Sequence, residues 1–508
     1  MSLNNLPNDI IRLISEYIDI KNISFYSTCK ELRKYQIFLH LHRRINWRYI
    51  KDSTFRENID NRKLKIVLNL SKYYELNDVS MLGNVYDLNL SDCINITDVS
   101  MLGKVHKLNL SRCRKITDVN MLGNVHTLNL KECNEITNIS MLGNVHTLNL
   151  SRCRKITDVN MLGNVHTLNL KECNEITDVS NLGSARILNL SHCDEITDVS
   201  NLGNLNRLNL SYCYKITDVS VLNKVHTLNL SHCYKITDVS IFSNVYDLTL
   251  SYCTNLIDVS MLGKVHTLNL SDCWRVADVS MLGNVYELNL SDCYNITDVS
   301  MLGKVHRLNL SQCKITDVSM LGNVHTLNLE NCHNITDVSK LGNVYDLNLS
   351  NCDKIRDISM LYNIHTLDLS WSNITDTSML TILCNTHTLY LKYFFTITDI
   401  SMLCNVHTLD LSNCSRIRDV SMLCNVYDLN LSNCWNITDV SKLGNVHRLN
   451  LFNCYEIRDV SMLGNVHTLN LSNCINITDV SMLGNVYDLN LSGCIKVVNQ
   501  GFHKTSPF

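Results

Sequence analysis

The stretch Val105-His106-Lys107-Leu108-Asn109-Leu110-Ser111-Arg112-Cys113-Arg114-Lys115-Ile116-Thr117-Asp118-Val119-Asn120-Met121-Leu122-Gly123-Asn124 returns, slightly varied, as residues 125–144, and again along most of the chain. From Cys93 to Cys313 a cysteine recurs every 20 residues. About 22 copies fill residues 64–498, and a fixed period of this size is the signature of a solenoid. Each copy of such a stack packs only on its neighbours, so one domain can lengthen without limit. The 508 residues therefore need not be divided into several globular domains.

Within one copy, Leu108 and Leu110 alternate with Lys107, Asn109 and Ser111, the period of a short strand. Stacked copies then form a parallel sheet. Cys113, Ile116, Val119 and Leu122 complete an inward set. Asp118 or Asn120 is placed to cap a short helical turn. Gly123 is expected to end that turn in the left-handed conformation, and Asn223 at the same position fits, because Asn tolerates it. The Asn109-type row is expected to form a ladder of mutually bonded amides. The only prolines, Pro7 and Pro507, lie outside the repeats.

The pattern Leu-x-x-Leu-x-Leu-x-x-Cys/Asn-x-Ile resembles the leucine-rich repeat family in its cysteine-containing form. The resemblance spans about 430 residues. It implies an α/β solenoid, a leucine-rich-repeat horseshoe with one parallel sheet. Twenty residues are short for that subfamily, so the convex side should hold extended chain or one 3₁₀ turn rather than a helix.

The first sixty residues follow another grammar. Ile10, Ile11, Leu13, Ile14, Tyr17 and Ile18 recur at helical spacing, with Pro7 suited to a first turn. Further apolar sets around Phe25–Leu32 and Tyr35–Leu41 complete a reading as three short helices. The plain interpretation is a cap over the first hydrophobic turn. The other rests on Leu6-Pro7-Asn8-Asp9-Ile10, the Ile stripe, and Cys29-Lys30-Glu31-Leu32-Arg33, which together resemble an F-box, with Leu32 where that family has tryptophan. An F-box ahead of leucine-rich repeats implies the substrate-recognition subunit of an SCF-type (cullin–RING) ubiquitin ligase. Leu6, Pro7, Ile10, Ile14 and Ile18 would then dock the Skp-type adaptor. The organisation expected is residues 1–50 as an F-box-like helical domain, 51–63 as linker, 64–498 as repeats and 499–508 as a tail. The regularity and the richness in Asn and Ile also resemble repeat proteins encoded by giant viruses of amoebae.

Net charge is −3, which gives no reason to expect nucleic acid or an anionic membrane as partner. No run approaches the roughly 20 apolar residues of a membrane span. The N-terminus lacks a basic start and carries Asp9, Arg12 and Glu16, unlike a signal peptide. Most of the 23 cysteines occupy one repeat position; in-register side chains point the same way, which suits a ladder of buried free thiols better than disulfides. Asn-Leu-Ser recurs on the strands as a sequon. These features point to the cytosol or nucleus (the host cytoplasm if the chain is viral), not to secretion.

No catalytic arrangement emerges, and no cofactor or metal is expected. Histidine fills the second repeat position in many copies, as at His106, His126 and His146, and tyrosine fills it elsewhere. Metal would need ligands that converge, whereas a row supplies parallel ones, so packing is the reading. Stacked imidazoles should titrate below their usual range. An acid follows each tyrosine of this row, as in Tyr86-Asp87, and block duplication accounts for it: residues 111–137 and 151–177 are identical.

A protein partner would have to read the places where the repeat varies. Arg112, Arg114, Arg152 and Arg154 alternate with Glu132, Glu135, Glu172 and Glu175, more the mark of a solvated face. Tyr212, Tyr214, Tyr234 and Tyr252 form an aromatic patch. Between 370 and 396 the cysteine becomes Ser372 and then Phe394, and Thr381-Ile382-Leu383 is inserted. Trp371, Tyr390, Tyr393 and Phe395 gather there, as binding anchors do.

Overall fold

The computed structural model describes residues 38–41, 43–60, 65–374 and 376–497. The chain forms two compact units, Met1–Thr237 with Asn244–Cys253, and Asp238–Ser243 with Thr254–Phe508. Leu6, Pro7, Ile10, Ile14 and Ile18 lie outside the described residues.

The first unit opens with strand β1 (Phe38–His40), helices α1 (Arg43–Lys51) and α2 (Ser53–Asp60), and strand β2 (Lys65–Asn69). Nine three-residue strands follow, β3 (Asp87–Asn89) to β11 (Asp247–Thr249). Neighbours pair in parallel and in register, Leu108 beside Leu128 and Leu128 beside Leu148. The second unit repeats the scheme from β12 (Thr267–Asn269) to β23 (Asp488–Asn490).

β1 pairs in parallel with β2, Phe38 beside Lys65, so the sheet starts ahead of residue 64. The apolar run Ile37-Phe38-Leu39, expected as part of a third helix, is instead strand from Phe38 onward. Short apolar runs fit either element by period alone; here the neighbouring β2 supplies the backbone partners. α1 and α2 pack at this end. Asp52 caps α2, its Oδ1 accepting from the Phe55 N–H at 2.9 Å. Buried Tyr49 donates its hydroxyl to Asp60 Oδ1 at 2.6 Å, and Asn46 Nδ2 donates to the Asn69 carbonyl at 2.6 Å.

One repeat shows why the period holds. Leu108, Leu110, Cys113, Ile116, Val119, Leu122 and Val125 are all at most 2 % exposed. Burying each of the larger ones stabilises the stack by roughly 1.5–3 kcal/mol. The Cys113 thiol donates to the Leu90 carbonyl one turn back, at 3.2 Å. The described cysteines are all free thiols, and burial pushes Cys113 up to about 12. The convex side holds one 3₁₀ turn, Asn120–Leu122, as its length requires. Asp118 caps it, its Oδ1 accepting from the Asn120 N–H at 2.9 Å.

Two local expectations are overturned. Gly123 is right-handed, at φ −60°, ψ −18°. Its glycine has a different cause: a Cβ would stand 2.2 Å from the carbonyl oxygen of Met141 in the next turn. The left-handed residue is the one before each cysteine of the buried ladder, for example Arg112 at φ 65° and Tyr212 at φ 64°. Among the described residues, the amides of the Asn109 row do not bond one another along the stack either, although Asn430 Nδ2 donates to the carboxylate of Asp410 in this row at 3.0 Å. Asn109 Oδ1 accepts from the Ser111 N–H two residues on, at 3.0 Å, bending the chain out of its strand. Amide-to-amide bonds occur in the left-handed row, as between Asn433 and Asn453 at 2.9 Å.

Candidate recognition surface

The sheet face is nearly constant in Asn and Ser, so discrimination falls to the left-handed row, where any side chain is held at φ between 54° and 65°. Such a backbone costs a non-glycine residue roughly 1–2 kcal/mol. It is held because its N–H donates across the stack, Arg112 to the Lys131 carbonyl at 2.7 Å and Trp371 to the Lys392 carbonyl at 2.9 Å.

In the first unit this row begins with charges. Arg112 Nε lies 3.0 Å from Glu132 Oε2, Arg152 Nη1 3.3 Å from Glu132 Oε1, and Arg152 Nε 2.9 Å from Glu172 Oε2. The alternating charges thus neutralise one another. The row then turns aromatic. His192, Tyr212, His232 and Tyr252 stack face to face with centroids 4.0, 4.0 and 4.2 Å apart. Tyr214 and Tyr234 stand beside them, stacked at 5.6 Å. Tyr214 is edge-on to Tyr212, and the Tyr234 hydroxyl lies 3.0 Å from His232 Nδ1. Partial burial, then Tyr234, raises the Tyr214 phenol above its usual range.

In the second unit, Trp371 stacks on Tyr393 with centroids 3.9 Å apart and planes 16° apart. Phe395 meets both edge-on at 6.0 and 6.1 Å. Trp371 is 47 % exposed and Phe395 50 %. Tyr390 joins the neighbourhood from the sheet face, under Lys392 Nζ at 5.3 Å. That lysine also lies 3.5 Å from Asp410 Oδ2. The inserted residues do not disturb the sheet. They extend the convex 3₁₀ turn to Thr377–Asn385, and Thr366, Leu367 and Asp368 still pair with Thr388, Leu389 and Tyr390. Phe394, fully buried, fills the space of the missing cysteine.

The second-position rings form columns. Tyr86, His106, His126, His146 and His166 stack at 4.5–4.7 Å, and Arg186 follows where the column stops. In the second unit the column is unbroken from His266 to Tyr487, at 4.4–4.9 Å. Near-parallel rings aim their nitrogen lone pairs side by side rather than at one point. Among the described residues, no three His, Cys, Asp or Glu converge as metal ligands.

Carboxylates on the convex side are likewise occupied. A shallow groove of about 470 Å³ is lined by Asp278, Ser280, Asp298 and Met301, yet Asp278 and Asp298 each accept from a serine N–H at 2.9 Å. Among the described residues, no helix is long and apolar enough to cross a membrane.

No protein-family profile matches the chain, and no curated protein does. Solved structures with similar architecture include the internalin InlF of Listeria monocytogenes, 23 % identical, TM-score 0.31, over 69 % of this chain and 85 % of that one. The functional domain of InlJ from the same organism, which includes a cysteine ladder, is 22 % identical, TM-score 0.41, over 68 % and 71 %. A leucine-rich-repeat protein of Leptospira interrogans is 19 % identical, TM-score 0.45, over 72 % and 95 %. The repeat architecture of this chain rests on its own geometry: an in-register parallel sheet, a buried cysteine ladder and a 3₁₀ turn in most copies.

Proposed function

We propose that this is a non-enzymatic binding protein whose solenoid captures a protein target. The observation that carries it is the Trp371–Tyr393–Phe395 cluster, a stacked pair with a third ring edge-on to both, about half-exposed at Trp371 and Phe395 beside a sheet face made mostly of short amides and hydroxyls. Large rigid aromatics among Asn and Ser are the composition of protein-recognising surfaces. Tyr212 and Tyr252 offer a second anchor of the same kind in the other unit.

The finer reading is that captured proteins are delivered to a cullin–RING ubiquitin ligase, the N-terminal segment docking its Skp-type adaptor. Leu6-Pro7, the Ile10, Ile14 and Ile18 stripe, and the following repeats support it. The test is co-purification of the full chain with a Skp-type adaptor. Association that is lost in Leu6→Ala plus Pro7→Ala supports the ligase role. No association leaves a binding scaffold capped at its N-terminus. For the target surface, Trp371→Ala plus Phe395→Ala should weaken a captured target by roughly 30-fold or more, the scale of an interface hot spot. The far-UV dichroism should not change. Unweakened capture would remove this cluster from recognition.

A further inference from the structure

The last described repeat differs from all before it. Leu469 and Leu471 are 1 % and 0 % exposed, whereas their successors Leu489 and Leu491 are only half-buried. Tyr487 is 74 % and Ile495 79 % exposed. The backbone of β23 is also open on its outer side. In the preceding turn the Leu471 N–H donates to the Asn490 carbonyl, the Asn473 N–H to Ser492, and the His467 carbonyl accepts from Tyr487. Among the described residues, nothing takes these roles for the Leu491 N–H, the Gly493 N–H or the Tyr487 carbonyl. By strand alternation the N–H and C=O of Leu489 face the same way.

We propose that this edge pairs antiparallel with β23 of a second copy of the chain, about a twofold axis through Leu489. The stereochemistry satisfies the strand itself, leaving the Gly493 N–H beyond the strand to solvent. In an antiparallel ladder, directly opposed residues exchange both backbone bonds. Leu489 would do so with Leu489 of the second copy, and each Leu491 N–H would donate to the opposite Tyr487 carbonyl. On the outer face, Asp488 then stands opposite Asn490, carboxylate against amide, twice. No like charges stand directly opposite each other. The apolar remainder of the end, Leu489, Leu491 and Ile495, is covered in the same step. The contact is isologous, so it stops at two copies. One repeat's cross-section, residues 478–497, supplies about the 20 residues per side of a specific interface.

The test is the mass of the full chain in solution by light scattering or sedimentation, at micromolar concentration. The expected species is a dimer of the 58.0 kDa chain. Asn490→Asp sets Asp488 against a second carboxylate in both cross-pairs and should weaken dimerisation by roughly tenfold. The fold tolerates the change, since Asp368 and Asp410 occupy this position elsewhere. Adding Asp488→Asn restores the carboxylate–amide pairs and should restore the dimer. A monomeric wild type overturns the proposal, as does an unweakened Asn490→Asp. So does a chain that dimerises only after removal of residues 498–508, because that segment would then be the natural cover of the edge.

Discussion

Each turn uses its special residues for reasons of spacing as much as of conformation. Gly123 keeps a Cβ out of the next turn's carbonyl. Gly123→Ala should therefore lower the thermal midpoint by several degrees, even though alanine accepts that backbone angle. An unchanged midpoint would mean that the turns can part at no cost. At Gln312, φ is 64°, and Gln312→Gly should raise urea resistance by up to roughly 1 kcal/mol, because the left-handed strain is removed. Thiol chemistry is set at this scale too. Cys213, pushed up to about 12 by burial, and its ladder neighbours should resist alkylation at pH 8. Half-buried Cys384, Cys404 and Cys424 stand outside the ladder and should be modified first, which peptide mass mapping would read. The sequence foretold the buried thiols, since one small residue at a fixed period names its own environment. It did not foretell the left-handed row. Arg, Glu, His, Tyr and Trp give no hint of positive φ, and a trace of it is carried by Asn331, Asn351, the run of Asn from Asn413 to Asn473, and Gly493.

At the level of the element, the 3₁₀ turns and the ring columns give the stack two acid sensitivities of the same sign in different pH ranges. Asp258 and Asp298 accept the backbone N–H and then the hydroxyl of the serine they cap, and Asp278 accepts the Ser280 hydroxyl and then its N–H, which lowers their carboxyl pKa. A lowered folded-state value contributes stability above the unfolded carboxyl value, near 3.9, that is lost as pH falls through the folded value. Histidine acts earlier. Partial burial and then a neighbouring imidazole lower His106 and His166, and the same causes lower His232. For a base whose folded pKa is depressed, the neutral form stabilises the fold. That contribution is present above about 6.5 and is lost as pH falls through the folded value. The thermal midpoint should accordingly fall in two stages, one between about pH 7 and 5 and another below about pH 4. A single stage confined to carboxylate pH would acquit the columns. Strand, turn and core positions were all readable from the repeat. The start of the sheet at Phe38 was not, because its partner β2 is set by long-range register rather than by local pattern.

For the whole molecule, near-identical repeats strongly specify architecture and say little about the target. Three places depart from uniformity: the segment ahead of Phe38, the aromatic clusters around Tyr212 and Trp371, and the bare edge at β23. The aromatic clusters were legible as breaks in a repeated pattern, although the face-to-face stacking of Trp371 on Tyr393 needed three-dimensional register. The open edge was not legible, because β23 has the same letters as an internal strand such as β3. Its distinction is the absence of a successor in the described stack.

The left-handed row has one more consequence. Its backbone angle is the same under Arg112, Glu132, Tyr212 and Trp371. The conformational toll is thus much the same for each of these occupants, and lighter only for Gly, Asn or Asp. Exchanging one side chain for another there alters what the surface can grip while leaving the folding energy nearly where it was. The row behaves as a keyboard with fixed key spacing. Recognition can be rewritten letter by letter, or lengthened by copying a 20-residue block, without retuning the instrument beneath.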